Sequence, residues 1–470
     1  MGPVPERRDG PRLSTTSMPI DLDISPVQLA IKDYHALIAR DRSAAIEGVA
    51  RLHDEMRQRG LASGDRLICP FLRPFFLSRP EYEQIRAVVK LMRPAFDLVV
   101  EKALSDSKWL DWLGLNDIEK QLIRFDPGFK AASAMARLDS FFTPASFKFI
   151  DFNAEFPSGI GYDDAMAEAF SHLPLFKQFR KTRKVRFVAS QPSLVHTLIA
   201  SYKQWGGKNK PQIAIISWED SQTRSELELI KDSIQSHGFK VIICDPRHLE
   251  LRKGKLYYRD FRIDLVYRAL RLHEMQARLK DCLPMAEAGK AGKVCIVNSF
   301  RTMILHKKAV FAALYEDQIQ AAMSPAIKQA VLEYIPWTRK VTDRRVILNG
   351  KEIELLAYIE GNRRKLVLKP NDDSEESGIA IGWETEQDEW NLQIRKAMEG
   401  DYVVQQRIDV RRELFPDTRD NLRLKDMLVD TGSYVFAGKS VGGIQARLSA
   451  SSFFDIAHGG AQVPTFIIEG

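Results

Sequence analysis

Apolar residues recur at three- and four-residue steps through the first quarter of the chain. Two series carry this spacing: Ala30, Ile31, Tyr34, Leu37 and Ile38, and later Ile85, Val88, Val89 and Met92. Such a period places the apolar side chains on one face of a helix. Residues 26–130 are therefore predicted to form a helical region. Four prolines are expected to interrupt these helices, because proline breaks the helical hydrogen-bond ladder: Pro70, Pro74, Pro80 and Pro94.

Beyond about residue 135 the apolar residues form short runs of strand length instead. Phe147–Phe152 predicts one strand, and Gln212–Ser217 and Lys240–Asp245 predict two more, joined by a helical segment at Ser225–Ser236. A strand–helix–strand unit is typical of a parallel, doubly wound sheet. Further strands of that sheet are predicted at 263–267 and 294–298.

The last third of the chain predicts a smaller α+β block followed by antiparallel strands. In the block, strands are expected at 365–370, 378–383 and 402–406, with a helix at 389–398. The C-terminal strands are expected at 433–437, 443–449 and 463–468. The fold class predicted from these patterns is mixed α/β and α+β.

Composition narrows the functional classes. The 470 residues are 44% hydrophobic and 28% charged, which excludes disorder for the bulk of the chain. The net charge of +7 is too diffuse to indicate a nucleic-acid partner, and no apolar run approaches the length of a membrane span. Four widely spaced cysteines make no CxxC pair, so a reducing cytoplasm is predicted. Residues 1–25 lack the apolar core of a signal peptide and are expected to be a flexible tail.

Three oxygen-bearing side chains and an arginine form the sharpest chemical pattern. Arg137 and Asp139 precede a turn, and Asp151 and Asn153 follow on the next strand, where alternation puts both on one face. A hairpin would bring Asp139 alongside them. Oxygen ligands of this kind suit Mg²⁺ bridged to nucleotide phosphates. The alternative is a surface hairpin with scattered charges.

A lysine at a strand end forms a second pattern. Lys369 ends the apolar strand at 365–370 and is followed by a polar loop, so it can reach nucleotide phosphates that the loop covers. The alternative is an exposed lysine with no ligand. Lys308, at the start of the preceding helical segment, gives a weaker signal of the same kind.

The order of these pieces resembles that of the circularly permuted ATP-grasp proteins, in particular the glutathionylspermidine synthase-like group. The matching stretches are Arg137–Asp139, Asp151–Ser158, Trp218–Asp220, Asp264–Arg268, Lys308, Lys369, Gln405–Gln406, Tyr434–Gly438, Gly442–Arg447 and Gly460–Pro464. They run in one collinear order from about Met135 to the C-terminus. In most ATP-grasp proteins the nucleotide lid precedes the metal-binding half, whereas here it follows.

The resemblance implies a domain arrangement. A flexible tail (1–25) and the helical region (26–130) would precede the metal-binding half (131–190). A doubly wound pre-ATP-grasp-like domain (191–305) would then be inserted before the lid half (306–410). Residues 411–470 would complete the ATP-grasp core.

The resemblance also implies a function and roles for the site residues. The chain would be an ATP- and Mg²⁺-dependent ligase that joins a small-molecule or peptide carboxylate to an amine, or to a thiol, through an acylphosphate. The resemblance also assigns roles to individual residues. Asp139, Asp151 and Asn153 would bind the metal, and Lys308, Lys369, Gln405 and Gln406 would bind ATP. Arg137 and Arg447 would be catalytic, and the substrate would be bound by Ser158, Glu219, Asp220, Tyr267 and Arg268.

Two features leave alternatives open. The loop after Lys369 is acidic at 372–376, where the family is glycine-rich, and carboxylates repel phosphate. This motivates a second hypothesis, a non-catalytic nucleotide- or metabolite-binding protein on a ligase scaffold. Glu219 and Asp220 either cap the following helix or attract a cationic amine, as the Glu-Asp motif of the family implies.

Overall fold

The computed structural model describes residues 25–63, 66–143, 146–372, 378–454 and 459–469. The predicted tail up to residue 24 and residues 373–377 of the acidic loop lie outside these ranges.

The N-terminal region is largely helical, as predicted, and its helices begin at recognisable caps. Its elements are α1 (Pro26–Arg40), α2 (Arg42–Gln58), β1 (Ala62–Ser63), β2 (Arg66–Leu67), β3 (Phe75–Ser78), α3 (Arg79–Ser105), α4 (Ser107–Trp112) and α5 (Asp117–Ile123). Ser25 caps α1 and Ser78 caps α3, each in a capping box with the residue three positions later.

One prediction for this region is wrong. Pro94 does not end a helix but lies inside α3, which continues to Ser105. An interior proline costs a helix about 3 kcal/mol. The α3 face that includes Val88, Met92 and Phe96 is buried, and burial of this face offsets the cost.

The central sheet joins the middle of the chain to its end. The middle segment contributes β4 (Met135–Thr143), β5 (Ser146–Asn153), α6 (Ile160–His172), α7 (Pro174–Thr182), β6 (Val185–Arg186) and α8 (Gln191–Trp205). The C-terminal segment contributes β20 (Arg411–Asp417), β21 (Arg423–Phe436), β22 (Ser440–Ser449), β23 (Ala461–Val463) and β24 (Thr465–Ile468). The sheet runs β23-β22-β21-β4-β5, and β20 also pairs with β21.

The predicted parallel unit is present between these segments. Its elements are β7 (Gln212–Ile216), α9 (Arg224–Ser236), β8 (Lys240–Cys244), β9 (Leu249–Arg252), β10 (Lys255–Tyr258), β11 (Phe261–Ile263), β12 (Leu265–Arg268), α10 (Leu272–Ala277), α11 (Leu279–Lys290) and β13 (Cys295–Val297). The parallel sheet runs β13-β12-β7-β8, while β9, β10 and β11 form a separate antiparallel meander.

The smaller α+β block is also present. Its elements are α12 (Met303–His306), α13 (Ala309–Ala313), α14 (Asp317–Ala322), α15 (Pro325–Tyr334), β14 (Thr338–Lys340), β15 (Arg345–Leu348), β16 (Lys351–Glu354), α16 (Leu355–Gly361), β17 (Leu366–Pro370), β18 (Ala380–Ile381), α17 (Gln387–Glu399) and β19 (Tyr402–Gln406). Its main sheet runs β14-β19-β17-β18. The strand predicted at 378–383 is shorter than expected, since only β18 pairs.

The predicted strand at 463–468 divides between two sheets. β23 pairs with β22, whereas β24 pairs with β3 in parallel and with β6. The N-terminal region is therefore not purely helical, because its strand β3 joins a sheet with β24 near the C-terminus. Across the described ranges, no helix is long and apolar enough to cross a membrane.

Candidate functional site

The site is built on the β4–β5 hairpin, which brings Asp139 alongside Asp151 and Asn153. Arg137 pairs with Asn153 and Asp139 pairs with Asp151. Directly opposed residues of an antiparallel pair share a face. The four side chains therefore lie together on one face of the central sheet.

Asp139 is almost fully enclosed by donors. Its Oδ1 accepts a hydrogen bond from Arg137 Nε at 2.6 Å. Its Oδ2 accepts from Arg137 Nη2 at 3.1 Å, Asn153 Nδ2 at 3.0 Å and Arg447 Nη2 at 2.7 Å. The side chains of Asp139 and Arg137 are 3% and 8% exposed. This carboxylate is neutralised by two guanidinium groups.

A second carboxylate, absent from the sequence-based site, shares Arg447. Asp430 lies opposite Arg447 across β21 and β22, and the two form a close ion pair. Burial raises the pKa of Asp430 to about 6, although Arg447 opposes the shift. Asp430 follows the apolar residues Met427–Val429 in β21, and the strand register is what links it to the hairpin.

Two lysines of the α+β block contact strand β5 of the hairpin, opposite Asp139. Lys308 Nζ lies 3.9 Å from Asp151 Oδ1. Lys369 Nζ donates to the carbonyl of Ile150 at 3.1 Å and to Gln405 Oε1 at 2.8 Å. Burial alone would raise the pKa of Asp151, but Lys308, Lys369 and His306 outweigh it and hold that pKa below its usual value.

Gln405 and Gln406 lie on opposite faces of β19. Gln405 is buried, and its Nε2 donates to Thr338 Oγ1 at 3.1 Å while its Oε1 accepts from Lys369. Gln406 is exposed, and its backbone N–H donates to the carbonyl of Trp337 at 2.9 Å. Of the two glutamines, only Gln406 presents its side chain to solvent.

Around Asp139 and Asp151 the described residues carry more positive than negative charge. Four cationic side chains, Arg137, Arg447, Lys308 and Lys369, surround three carboxylates, Asp139, Asp151 and Asp430. The net charge is +1, and it becomes +2 when Asp430 is protonated. Cations from the central sheet and from the α+β block, gathered in a partly buried site, attract an anion that carries several negative charges.

The loop after Lys369 starts with a compensated carboxylate. Asp372 accepts a hydrogen bond from Lys307 Nζ at 2.5 Å, and Lys307 also donates to Glu119 at 2.9 Å. This carboxylate of the acidic loop is thus paired with a lysine that it shares with Glu119. Residues 373–376, which were predicted to repel phosphate, lie outside the described ranges.

Three predicted substrate residues belong to the framework behind the hairpin. The carbonyl of Ser158 accepts from Arg137 Nη1 at 2.9 Å and from Tyr434 Oη at 3.2 Å. Arg268 is fully buried, and its Nη1 donates to Glu155 Oε1 at 3.0 Å. Tyr267 is equally buried, and burial raises the pKa of its hydroxyl well above the usual value.

Glu219 and Asp220 lie at the carboxyl end of β7, but neither caps α9. The N-cap of α9 is Thr223, so the capping alternative does not apply. Glu219 pairs with Arg247 at 3.3 Å, and Asp220 pairs with Arg278 at 3.3 Å. Each exposed carboxylate already has a guanidinium partner.

A surface cavity of about 320 Å³ adjoins Glu219. It is lined by Glu219, Arg247, His248, Glu250, Tyr258 and Arg259. With two arginines against two glutamates, its charge is balanced. These charges do not favour a polyamine.

Glu226 is a further buried residue that the sequence did not single out. Its Oε1 accepts from the backbone N–H of Gly159 at 2.7 Å and of Gly161 at 3.3 Å. Burial raises the pKa of Glu226 to about 7, against the opposing effect of these donors and of Arg137. The Ser-Glu-Leu sequence at the start of a helix gives no signal of this contact.

The residues fit a metal ion only in part. Asp151 and Asn153 present oxygens on one face of β5, and Mg²⁺ accepts few protein ligands when phosphate and water supply the others. Asp139 does not fit, because the arginines and Asn153 already occupy both of its oxygens. Among the described residues, no group of three or more His, Cys, Asp or Glu side chains is arranged to hold a metal.

Comparison with known proteins identifies the fold. No protein-family model and no curated protein matches the chain. A glutathione synthetase-like effector from Globodera pallida, determined in its apo form, superposes with a TM-score of 0.58 at 14% identity, covering 90% of this chain and 97% of that one. A "Putative gamma-glutamylcysteine synthetase" from Methylobacillus flagellatus KT superposes with a TM-score of 0.40 at 10% identity, covering 78% and 84%. The first match establishes a glutathione synthetase-like mixed α/β fold; the second is too distant to add to it.

Proposed function

We propose that the chain is an ATP- and Mg²⁺-dependent ligase that joins a carboxylate to an amine, or to a thiol, through an acylphosphate. One observation carries the proposal: Lys308 and Lys369 of the α+β block meet Asp151 and Ile150 of the hairpin. Fixed cations from separate elements stabilise charge on a transferring phosphoryl group without reorganisation. The fold shared with a glutathione synthetase-like effector supports this assignment.

The lysines would contact the nucleotide phosphates. In this proposal Gln405 positions Lys369, because it accepts the ammonium hydrogen bond from a buried place on β19. Gln406, whose side chain is exposed, would contact the adenine. The two glutamines thus have different roles, although both are candidates for nucleotide binding.

Asp151 and Asn153 would hold Mg²⁺, which neutralises phosphate charge when it is bound. Asp139 is left out of the ligand set because it already neutralises Arg137 and Arg447. Of these two arginines, Arg447 has a 21% exposed side chain and is the one that would contact the transferred phosphoryl group. The buried Arg137 would hold Asp139 in place.

The proposed reaction proceeds in two displacements. A carboxylate oxygen attacks the γ-phosphorus while the bond to the β-phosphate oxygen breaks, and ADP leaves. The amine nitrogen then attacks the acyl carbon, inorganic phosphate leaves, and the proton of the amine passes to solvent. Protein groups supply position and charge, which is what phosphoryl transfer requires.

The proposal assigns no acceptor site to Glu219 and Asp220, since their charges are already matched by Arg247 and Arg278. It also assigns no substrate contact to the buried Tyr267 and Arg268. The amine remains defined by the reaction class alone.

ADP release in the presence of paired panels of carboxylic acids and amines or thiols tests the proposal. ADP formation that requires Mg²⁺, an acid and an acceptor together is the expected result. Asp151→Asn should reduce it at least tenfold, and Asp426→Asn, at an exposed carboxylate of the central sheet, should leave it unchanged. Nucleotide binding without turnover across the panels would indicate a binding protein instead, and no binding would refute the assignment.

A further inference from the structure

Helix α6 begins without a cap of its own. Its N-cap residue is Gly159, which has a φ of 102° and no side chain to accept a hydrogen bond. The first N–H groups of a helix have no partner within the helix and require an acceptor from elsewhere. Here the acceptor is Glu226 of α9, which receives the N–H groups of Gly159 and Gly161 at 2.7 and 3.3 Å.

The close approach depends on both glycines. A Cβ at Gly161 would lie 2.9 Å from the carbonyl oxygen of Glu226 and 3.0 Å from its Cγ. A Cβ at Gly159 would lie 2.2 Å from Gln445 Nε2 and 2.5 Å from Tyr434 Oη. The turn is therefore packed between α9 on one side and the central sheet on the other.

The same turn positions Arg137. The residue before Gly159 is Ser158, whose carbonyl accepts from Arg137 Nη1 at 2.9 Å. Arg137 in turn holds Asp139, and Asp139 holds Arg447 at 2.7 Å. A continuous series of hydrogen bonds thus connects Glu226 of the α/β unit to the arginine that the proposed function places at the phosphoryl group.

We infer that Glu226 is a positioning residue, which fixes the turn at Ser158–Gly161 so that Arg137, Asp139 and Arg447 keep their arrangement at the anion site. The inference rests on the proposed function for the identity of the anion. The hydrogen bonds that link Glu226 to the turn and the turn to Arg137 are independent of that function. Through Glu226, the placement of α9 sets the orientation of the charged side chains on β4 and β22.

A matched control lies one turn along α6. Asp164 caps α8 in the same way, accepting the N–H groups of Ser190 at 2.8 Å and Gln191 at 3.0 Å. Both carboxylates come from one helix and cap another, but Asp164 does not bind the N–H groups of the turn at 158–161. Its cap reaches that turn through one long contact, from the side chain of Gln191 to the carbonyl of Gly161 at 3.4 Å. Loss of either cap should destabilise the protein, whereas only loss of Glu226 should disturb the anion site.

The first test measures affinity for Mg-ATP by calorimetry in the full chain. Glu226→Ala should weaken binding by about tenfold, and Glu226→Gln, which keeps a carbonyl oxygen for the two N–H groups, should stay within about twofold of the unaltered protein. Asp164→Ala should also stay within about twofold. Equal losses in Glu226→Ala and Asp164→Ala would overturn the inference, because they would show a general effect of lost stability.

The second test is a crystal structure of Glu226→Ala, which separates this inference from the proposed function. The expected result is that the Ser158 carbonyl moves out of hydrogen-bond reach of Arg137. An unchanged contact between Ser158 and Arg137 would overturn the inference, whether or not the protein binds a nucleotide. If the unaltered protein does not bind Mg-ATP but the contact is lost in the variant, the proposed function fails and the positioning role stands.

Discussion

Replacing Asp139 with alanine should destabilise the protein by about 3–5 kcal/mol. Asp139 accepts four hydrogen bonds, at 2.6, 2.7, 3.0 and 3.1 Å, and its side chain is 3% exposed. Arg447 would keep Asp430 as a partner, but Arg137 would lose its only ion-pair partner within the described ranges while 8% exposed. Removing one member of a buried ion pair leaves an uncompensated charge, which costs about 3–5 kcal/mol.

The matched control is an exposed ion pair on the same sheet. Asp426 accepts from Arg412 Nε at 2.8 Å, and the two side chains are 52% and 49% exposed. Solvent screens such a pair, so Asp426→Ala should cost no more than about 1 kcal/mol. The measurement is urea unfolding of the two variants and the unaltered protein at neutral pH, followed by far-ultraviolet circular dichroism. Equal losses of unfolding free energy in the two variants would refute the reasoning that burial makes the Asp139 network costly to break.

Two further predictions concern packing and pH. Gly432→Ala would place a Cβ 2.6 Å from Arg137 Cδ and 2.8 Å from Asp139 Oδ1, so it should lower the unfolding free energy by about 1–3 kcal/mol. The control is Gly48→Ala in α2, where a Cβ would have no atom within 4 Å. This variant should raise the unfolding free energy by about 0.5–1 kcal/mol. A lower unfolding free energy in both variants would contradict the steric argument. The pKa of the Asp417 carboxyl is lowered from 3.8 to about 2, because Arg419 and Lys425 outweigh the effect of burial. A carboxyl whose pKa is lower in the folded than in the unfolded protein stabilises the fold above the unfolded-state pKa, and that stability is lost as the pH falls through the folded-state pKa. The unfolding free energy of the unaltered protein should therefore drop by about 1–2 kcal/mol between about pH 4 and pH 2, and Asp417→Asn should not show this drop. Parallel curves of unfolding free energy against pH for the two proteins would contradict this.

The hairpin at the centre of the site was predictable because its information is local. Arg137, Asp139, Asp151 and Asn153 lie on two adjacent strands with one turn between them, so alternation and a hairpin register are enough to bring them together. The strand–helix–strand order likewise predicted β7, α9 and β8, because hydrophobic periodicity and the stop at His237 mark their ends.

Contacts between distant segments were not predictable. The hydrogen bond from Lys369 to the carbonyl of Ile150 joins two separate sheets, and nothing near Lys369 in the sequence identifies its acceptor. Asp430 precedes the strand predicted at 433–437, and its role depends on the pairing of β21 with β22. The sequence also could not distinguish Asp139 as a metal ligand from Asp139 as a partner of two arginines, since both use the same carboxylate.

The helical interpretation of the N-terminal region missed one long-range pairing. Phe75–Ser78 forms a parallel ladder with Thr465–Ile468, which lies near the other end of the chain. A four-residue strand inside a helical region gives little periodic signal, and its partner is determined by tertiary packing rather than by local propensity.

The central claim, that Lys369 and the hairpin together bind the phosphates of Mg-ATP, is tested most directly by titrating Mg-ATP into Lys369→Met and Lys365→Met in a calorimeter. Lys365 is exposed and lies four residues earlier in the same segment, so its removal changes the net charge by the same amount but leaves the contact between Lys369 and the hairpin in place. We expect at least tenfold weaker binding in Lys369→Met and unchanged binding in Lys365→Met. Equal affinities in the two variants, or no binding by the unaltered protein, would contradict the central claim.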